Sequence, residues 1–133
     1  MDGVRLTIRI DFGAKRSVGP GKIRLLEAIE KTGSISKAGQ SLGMSYRRAW
    51  LLVDDLNHCF REPVVTTKPG GARGGGATLT PFGIVLIRNY RAIEKRAAGA
   101  TRKSLGDLKI ALRRRSRGVR KPLRTSIRAA ATP

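Results

Sequence analysis

The stretch Ser34-Ile-Ser-Lys-Ala-Gly-Gln-Ser-Leu-Gly-Met-Ser-Tyr-Arg-Arg-Ala-Trp50 constrains this chain more than any other. A serine hydroxyl satisfies the free amides at a helix start, and Ser34 and Ser45 stand eleven residues apart, room for one short helix between them. Ala38 and Gly39 are small enough for two crossing helices to approach closely, Ile35 and Leu42 supply apolar contacts, and Gly43 suits a turn. A second helix is predicted from residue 46 to about residue 60, because Ala49, Leu52, Val53, Leu56 and Phe60 recur on one face. The spacing therefore predicts a helix-turn-helix. Such a unit sets the first residues of its second helix at base edges in the DNA major groove, which makes Tyr46, Arg47 and Arg48 candidate readers. Asp54, Asp55 and Asn57 are predicted wet on the outer face, and the two carboxylates confine contact with a polyanion to the first two turns.

The charge balance points to the same kind of partner. Twenty-eight Lys and Arg oppose nine Asp and Glu, a net +19 over 133 residues. A compact state so one-sided repels itself unless a polyanion is near. Up to residue 97 there are 17 basic and 8 acidic residues, and after it 11 and 1. The last part of the chain thus holds about half the excess charge.

The flanking sequence reads as support for the two helices. Residues 4–10 alternate Val4, Leu6, Ile8 and Ile10 with Arg5, Thr7 and Arg9, the period-2 pattern of a half-buried strand. That strand is expected to pair with a later hairpin or a partner subunit, with residues 11–21 as a connector. A helix is predicted from Gly21 to Gly33, with Ile23, Leu25, Leu26 and Ile29 inward and Lys22, Arg24, Glu27, Glu30 and Lys31 wet. Two β-branched runs, residues 63–67 and 77–80, enclose a glycine-rich segment and predict a β-hairpin wing whose Lys68 and Arg73 reach phosphates or the minor groove. Thr80-Pro81 opens a further helix. Its inward stripe is predicted as Phe82, Val85, Leu86, Tyr90 and Ile93, and Ile84 and Ile87 on another face suggest a subunit contact. Leu105, Leu108 and Leu112 allow one more short helix, and disorder is expected beyond about residue 116, within the arginine-rich run.

Other chemistries find little support. The glycine-rich segment lacks the Gly-Lys-Ser/Thr closure of a phosphate-binding loop. Gly71-Ala-Arg-Gly74 has the form of a KH-domain clamp, but that clamp joins helices whereas β-type runs flank this one. One cysteine and one histidine, Cys59 and His58, make neither a disulfide framework nor a four-ligand zinc site, and both are expected to pack or face solvent rather than catalyse. Trp50 is expected in core or subunit packing. No apolar run approaches a membrane span or a signal segment, so a cytoplasmic location is expected, with no membrane partner.

Taken together, Gly21-Lys-Ile-Arg-Leu-Leu-Glu-Ala-Ile29, Thr32-Gly-Ser-Ile-Ser36, Leu42-Gly-Met-Ser-Tyr-Arg-Arg-Ala-Trp50, Gly70-Gly71, Gly74-Gly-Gly-Ala77, Leu79-Thr80 and Gly83 closely resemble the N-terminal DNA-binding domain of the molybdate-responsive transcriptional regulators of ModE type. The resemblance spans roughly residues 4 to 95. It implies a winged helix that dimerises, partly through its first and last helices, and that regulates molybdenum-related operons. Members continue into oxyanion-binding modules of the molybdopterin-binding (MOP) type. This chain has an arginine-rich tail instead, so molybdate binding by the chain itself is not expected.

The expected architecture is mainly α with a small β-sheet, a winged helix-turn-helix with an N-terminal strand and a C-terminal dimerisation helix. Residues 1–97 form the DNA-binding domain and residues 98–133 a basic, largely disordered tail. The expected function is a homodimeric, sequence-specific regulator that binds double-stranded DNA through Ser34, Ser36, Lys37, Ser45, Tyr46, Arg47, Arg48, Lys68 and Arg73. No catalytic residue, metal or cofactor is expected. The alternative is a nonspecific nucleic-acid-binding or architectural protein driven by the tail.

Overall fold

The computed structural model describes residues 3–71 and 74–113. Among them it is mainly helical, with two small antiparallel sheets of two strands each. The order is β1 (Ile10–Phe12), β2 (Arg16–Val18), α1 (Pro20–Thr32), α2 (Ile35–Ser41), α3 (Tyr46–Cys59), β3 (Val65–Gly71), β4 (Gly74–Leu79), α4 (Pro81–Ala100) and α5 (Arg102–Ile110).

The centre of the fold is α1. Pro20 occupies its first turn, where a missing N–H costs nothing, and Gly33 ends it at φ 72°, its N–H donating to the Ile29 carbonyl at 2.7 Å. Ile23, Leu25, Leu26 and Ile29 are fully buried, as their spacing requires. Each such side chain contributes about 1.5–3 kcal/mol by leaving water. Around α1 gather Ala38 of α2, Ala49, Val53 and Leu56 of α3, Val64 and Val65 beside and within β3, and Leu86 and Tyr90 of α4. Two residues predicted wet on α1 are tied down instead. Lys22 donates to the Ser17 carbonyl at 2.9 Å and lies 3.6 Å from Asp55, and Glu27 receives both the Nε and an Nη of Arg91 from α4. A wheel of α1 alone shows no partner for either, because the Ser17 carbonyl, Asp55 and Arg91 all lie outside the helix.

The N-terminal strand differs from the prediction in place and partner. Residues 4–9 form no strand, and β1 pairs with β2, Ile10 opposite Val18 and Phe12 opposite Arg16, within what was read as a connector. Gly13, at φ 84°, provides the reversal that folds the chain back on itself. A local hairpin closes with less loss of chain entropy than pairing to a strand some fifty residues on. The segment before it lies against α4, where the Tyr90 hydroxyl donates to the Ile8 carbonyl at 2.7 Å.

The predicted second hairpin is present and longer than its β-branched runs, since β3 and β4 continue into the glycines with Lys68 opposite Gly76. Thr80 is a helix cap rather than a strand residue: its hydroxyl accepts from the Gly83 N–H at 2.9 Å and donates to the Pro63 carbonyl at 2.8 Å.

The buried stripe of α4 is Gly83, Leu86 and Tyr90, whereas Val85 and Ile93 are each 43% exposed and Ile84 and Ile87 pack against the core. Leu86, Tyr90 and Phe82 lie inward as predicted, while Val85 and Ile93 face outward and Ile84 and Ile87 take inward places. Gly83 is the cause: a Cβ there would collide with the Val64 carbonyl oxygen, so the helix approaches β3 on its glycine side and turns Val85 outward. Residue 97 lies inside α4, and α5 follows with no buried residue. The arginine-rich run and the disorder expected beyond residue 116 lie outside the described residues.

Candidate nucleic-acid interface

The α2–α3 unit is built by the features its sequence advertised. Ser34 accepts from the Lys37 N–H at 3.0 Å and Ser45 from the Arg48 N–H at 3.1 Å, so each helix has its side-chain cap. Gly43 turns the chain at φ 72°, and the Met44 N–H returns to the Gly39 carbonyl at 2.9 Å. A Cβ on Gly39 would stand 3.0 Å from the Ala49 Cβ, so the glycine sets how closely α2 crosses α3. Leu42, expected among the apolar contacts, is 36% exposed.

On this frame Ser36, Lys37, Arg47 and Arg48 are exposed, and Tyr46 is 57% exposed. Among the described residues no carboxylate lies within 4.0 Å of Lys37, Arg47, Arg48 or Lys68. The N-terminal end of α3 adds the positive end of its dipole to these cations. Its carboxylates lie further along and are engaged, Asp55 with Lys22 at 3.6 Å and Asp54 with His58 at 3.5 Å. Trp50 is 44% exposed on the second turn, not in the core.

The hairpin is held to the same unit at two points. The Ala77 N–H donates to the Gly33 carbonyl at 2.9 Å, immediately before the Ser34 cap, and Gly76 beside it is the strand partner of Lys68. At the other end the Asn57 amide oxygen accepts from the Val64 and Val65 N–H groups at 2.7 and 3.1 Å, and its amide nitrogen donates to the Val65 carbonyl at 3.0 Å. Lys68 is exposed on this hairpin, and Arg73 lies outside the described residues. The sequence reading placed Asn57 in water. Its signal was weak: one amide near the end of an amphipathic helix, followed within eight residues by a β-branched run.

The arrangement is a small basic domain in which two capped helices cross at a glycine and present unpaired cations beside an anchored hairpin. Among the described residues no helix is long and apolar enough to cross a membrane, and no group of three His, Cys, Asp or Glu is placed to hold a metal ion. No family model matches the chain. It is similar to part of several longer proteins. It is 51% identical over 77 residues to the molybdenum-pterin-binding protein MopB of Rhodobacter capsulatus, covering 58% of this chain and 28% of that protein. To MopA of the same organism it is 45% identical over 96 residues, 72% of this chain and 34% of MopA. To the DNA-binding transcriptional dual regulator ModE of Escherichia coli K12 it is 36% identical over 87 residues, 65% and 32% respectively. The similar region thus spans about a third of the length of these curated relatives.

Proposed function

We propose that this chain is the DNA-binding unit of a molybdenum-linked transcriptional regulator, a winged helix-turn-helix that acts as a homodimer. The observation that supports it best is the exposed Tyr46-Arg47-Arg48 start of α3, with no carboxylate partner among the described residues, capped by Ser45 and set by the Gly39–Ala49 crossing. In this reading α3 enters the major groove by its first two turns. Arg47 and Arg48 reach base edges or phosphates, and Tyr46 and Ser45 flank them. Ser34, Ser36 and Lys37 at the start of α2 contact the backbone, as do Lys68 and Arg73 on the hairpin, which is the wing. Phosphate contacts of this kind fix register, and base contacts give sequence preference. The exposed Val85 and Ile93 of α4 offer an apolar face for the second subunit. The relatives' names supply the link to molybdenum and to transcription.

Selection from a random duplex library tests the reading. The full chain is expected to enrich one sequence and to prefer it about 10³-fold or more over unrelated DNA at physiological salt. Arg47→Ala and Arg48→Ala should each lower that preference while keeping the helical spectrum of the parent. A bidentate arginine–guanine pair is worth ~1–3 kcal/mol, so a single variant is expected to lose roughly ten- to hundredfold in preference. Unchanged selectivity in both variants would remove α3 as the reading helix, and uniform binding to all duplexes would favour the electrostatic alternative.

A further inference from the structure

The outer face of α3 presents apolar surface as well as arginine. Leu51 is 45% and Trp50 44% exposed, on a helix whose inner line of Ala49, Val53 and Leu56 is buried. At about 100° per residue Leu51 stands about 40° from Arg47, one turn further on. A helical side chain leans toward the N-terminus, so Leu51 covers the turn that carries Arg47, and Trp50 falls on the other side of that arginine. Negative charge begins one residue line beyond, at Asp54 and Asp55.

An exposed leucine bordered by unpaired guanidinium groups calls for a partner that is anionic outside and apolar at one point. A second copy of this chain would bring its own +19 to the same rim. In the DNA major groove the phosphates supply the anion, and the 5-methyl group of thymine is the one apolar group that a base pair presents there. We propose that Leu51 is a specificity-determining residue that packs on a thymine methyl beside the base pair addressed by Arg47, with Trp50 closing the contact to water. This rests on the reading of α3 as the groove helix.

Replacing each thymine of a selected duplex in turn by deoxyuridine removes only the methyl group. At one or two positions of a half-site the affinity of the full chain should fall about fourfold, the equivalent of ~0.8 kcal/mol for one buried methyl. Leu51→Ala, and Leu51→Gln as a variant that keeps length and helix preference, should bind the thymine and uridine duplexes equally. The proposal is overturned if no thymine is sensitive, or if the sensitivity persists in both variants. It is also overturned if the variants change the mass of the oligomer and leave the thymine-to-uridine ratio as it was. Failure to enrich any sequence would instead sink the DNA-binding reading itself, and this inference with it.

Discussion

Tyr90 is 1% exposed, and its hydroxyl holds the N-terminal segment to α4 through the Ile8 carbonyl. Burial first, and Glu94 second, raise its pKa above the ordinary value, while Arg91 and Arg24 work in the opposite direction. A raised folded-state pKa means that the folded protein keeps its phenol proton when the unfolded chain gives it up. The contribution is therefore complete below the unfolded tyrosine's pKa of about 10 and is lost as pH rises through the higher folded value. Tyr90→Phe should cost about 1 kcal/mol near pH 7, the net worth of one hydrogen bond. In alkaline unfolding curves the gap between parent and variant should close above pH ~10; a gap that widened there would contradict the assignment. Residues of this kind are hard to read in a sequence. That Tyr90 faces inward follows from helical spacing, but its partner lies 82 residues away on backbone, and no pattern of side chains marks a carbonyl. Exposed arginines at a capped helix start are legible for the opposite reason, since cap, turn and charge are all local.

The elements divide along the same line. α1, α2, α3 and the second hairpin stand close to where local signals place them, because Gly33, Ser34, Gly43, Ser45 and Thr80-Pro81 each act on the backbone within a few residues. The first strand and part of the inward stripe of α4, Val85 and Ile93, do not, since each depends on a neighbour that the segment itself does not encode. Residues 4–10 alternate as a strand should, but β1 takes its partner from the turn at Gly13, and α4 orients by the carbonyl of Val64. Asn57 shows how such non-local ties fix one element on another. Its amide completes three backbone hydrogen bonds at the entry to β3, next to Val64 and Val65, which are 0% and 2% exposed. Asn57→Ala would leave those groups without their partner, and a buried polar group left unsatisfied costs about 1–3 kcal/mol. Denaturant unfolding should show a loss in that range. If the hairpin bears DNA-contacting residues, affinity for the selected duplex should drop with it, while the α3 arginines keep the sequence preference. A loss below ~0.5 kcal/mol would mean that water replaces the amide without cost, and the clamp would then be a geometric coincidence.

At the scale of the whole molecule the decisive quantity is where the charge lies. The described basic residues are partly engaged: Arg91 bridges Glu27 and Glu94 at 2.7 and 2.6 Å, Lys22 is drawn toward Asp55, and Lys103 lies 3.6 Å from Asp107. Those contacts bind the fold to itself, and most of the chain's 28 Lys and Arg take no part in them. Residues 117–133 hold Arg117, Arg120, Lys121, Arg124 and Arg128 and no acidic residue. Each phosphate neutralised contributes about −0.9 to the slope of log K against log salt on duplex DNA. If all five tail cations engage, deletion of 117–133 should make that slope shallower by about 4.5, and by less in proportion to those that stay in solvent. Because phosphates are the same in every sequence, specific and nonspecific duplexes should lose affinity by the same factor, and the ratio between them should hold. That would separate the two roles in the proposed reading, in which α3 sets the ratio and the tail sets the scale on which both affinities are measured. Equal salt slopes with and without 117–133 would place the tail away from DNA. A collapse of the ratio on deletion would make the tail a reader rather than an anchor, and would shift the seat of specificity away from Arg47 and Arg48.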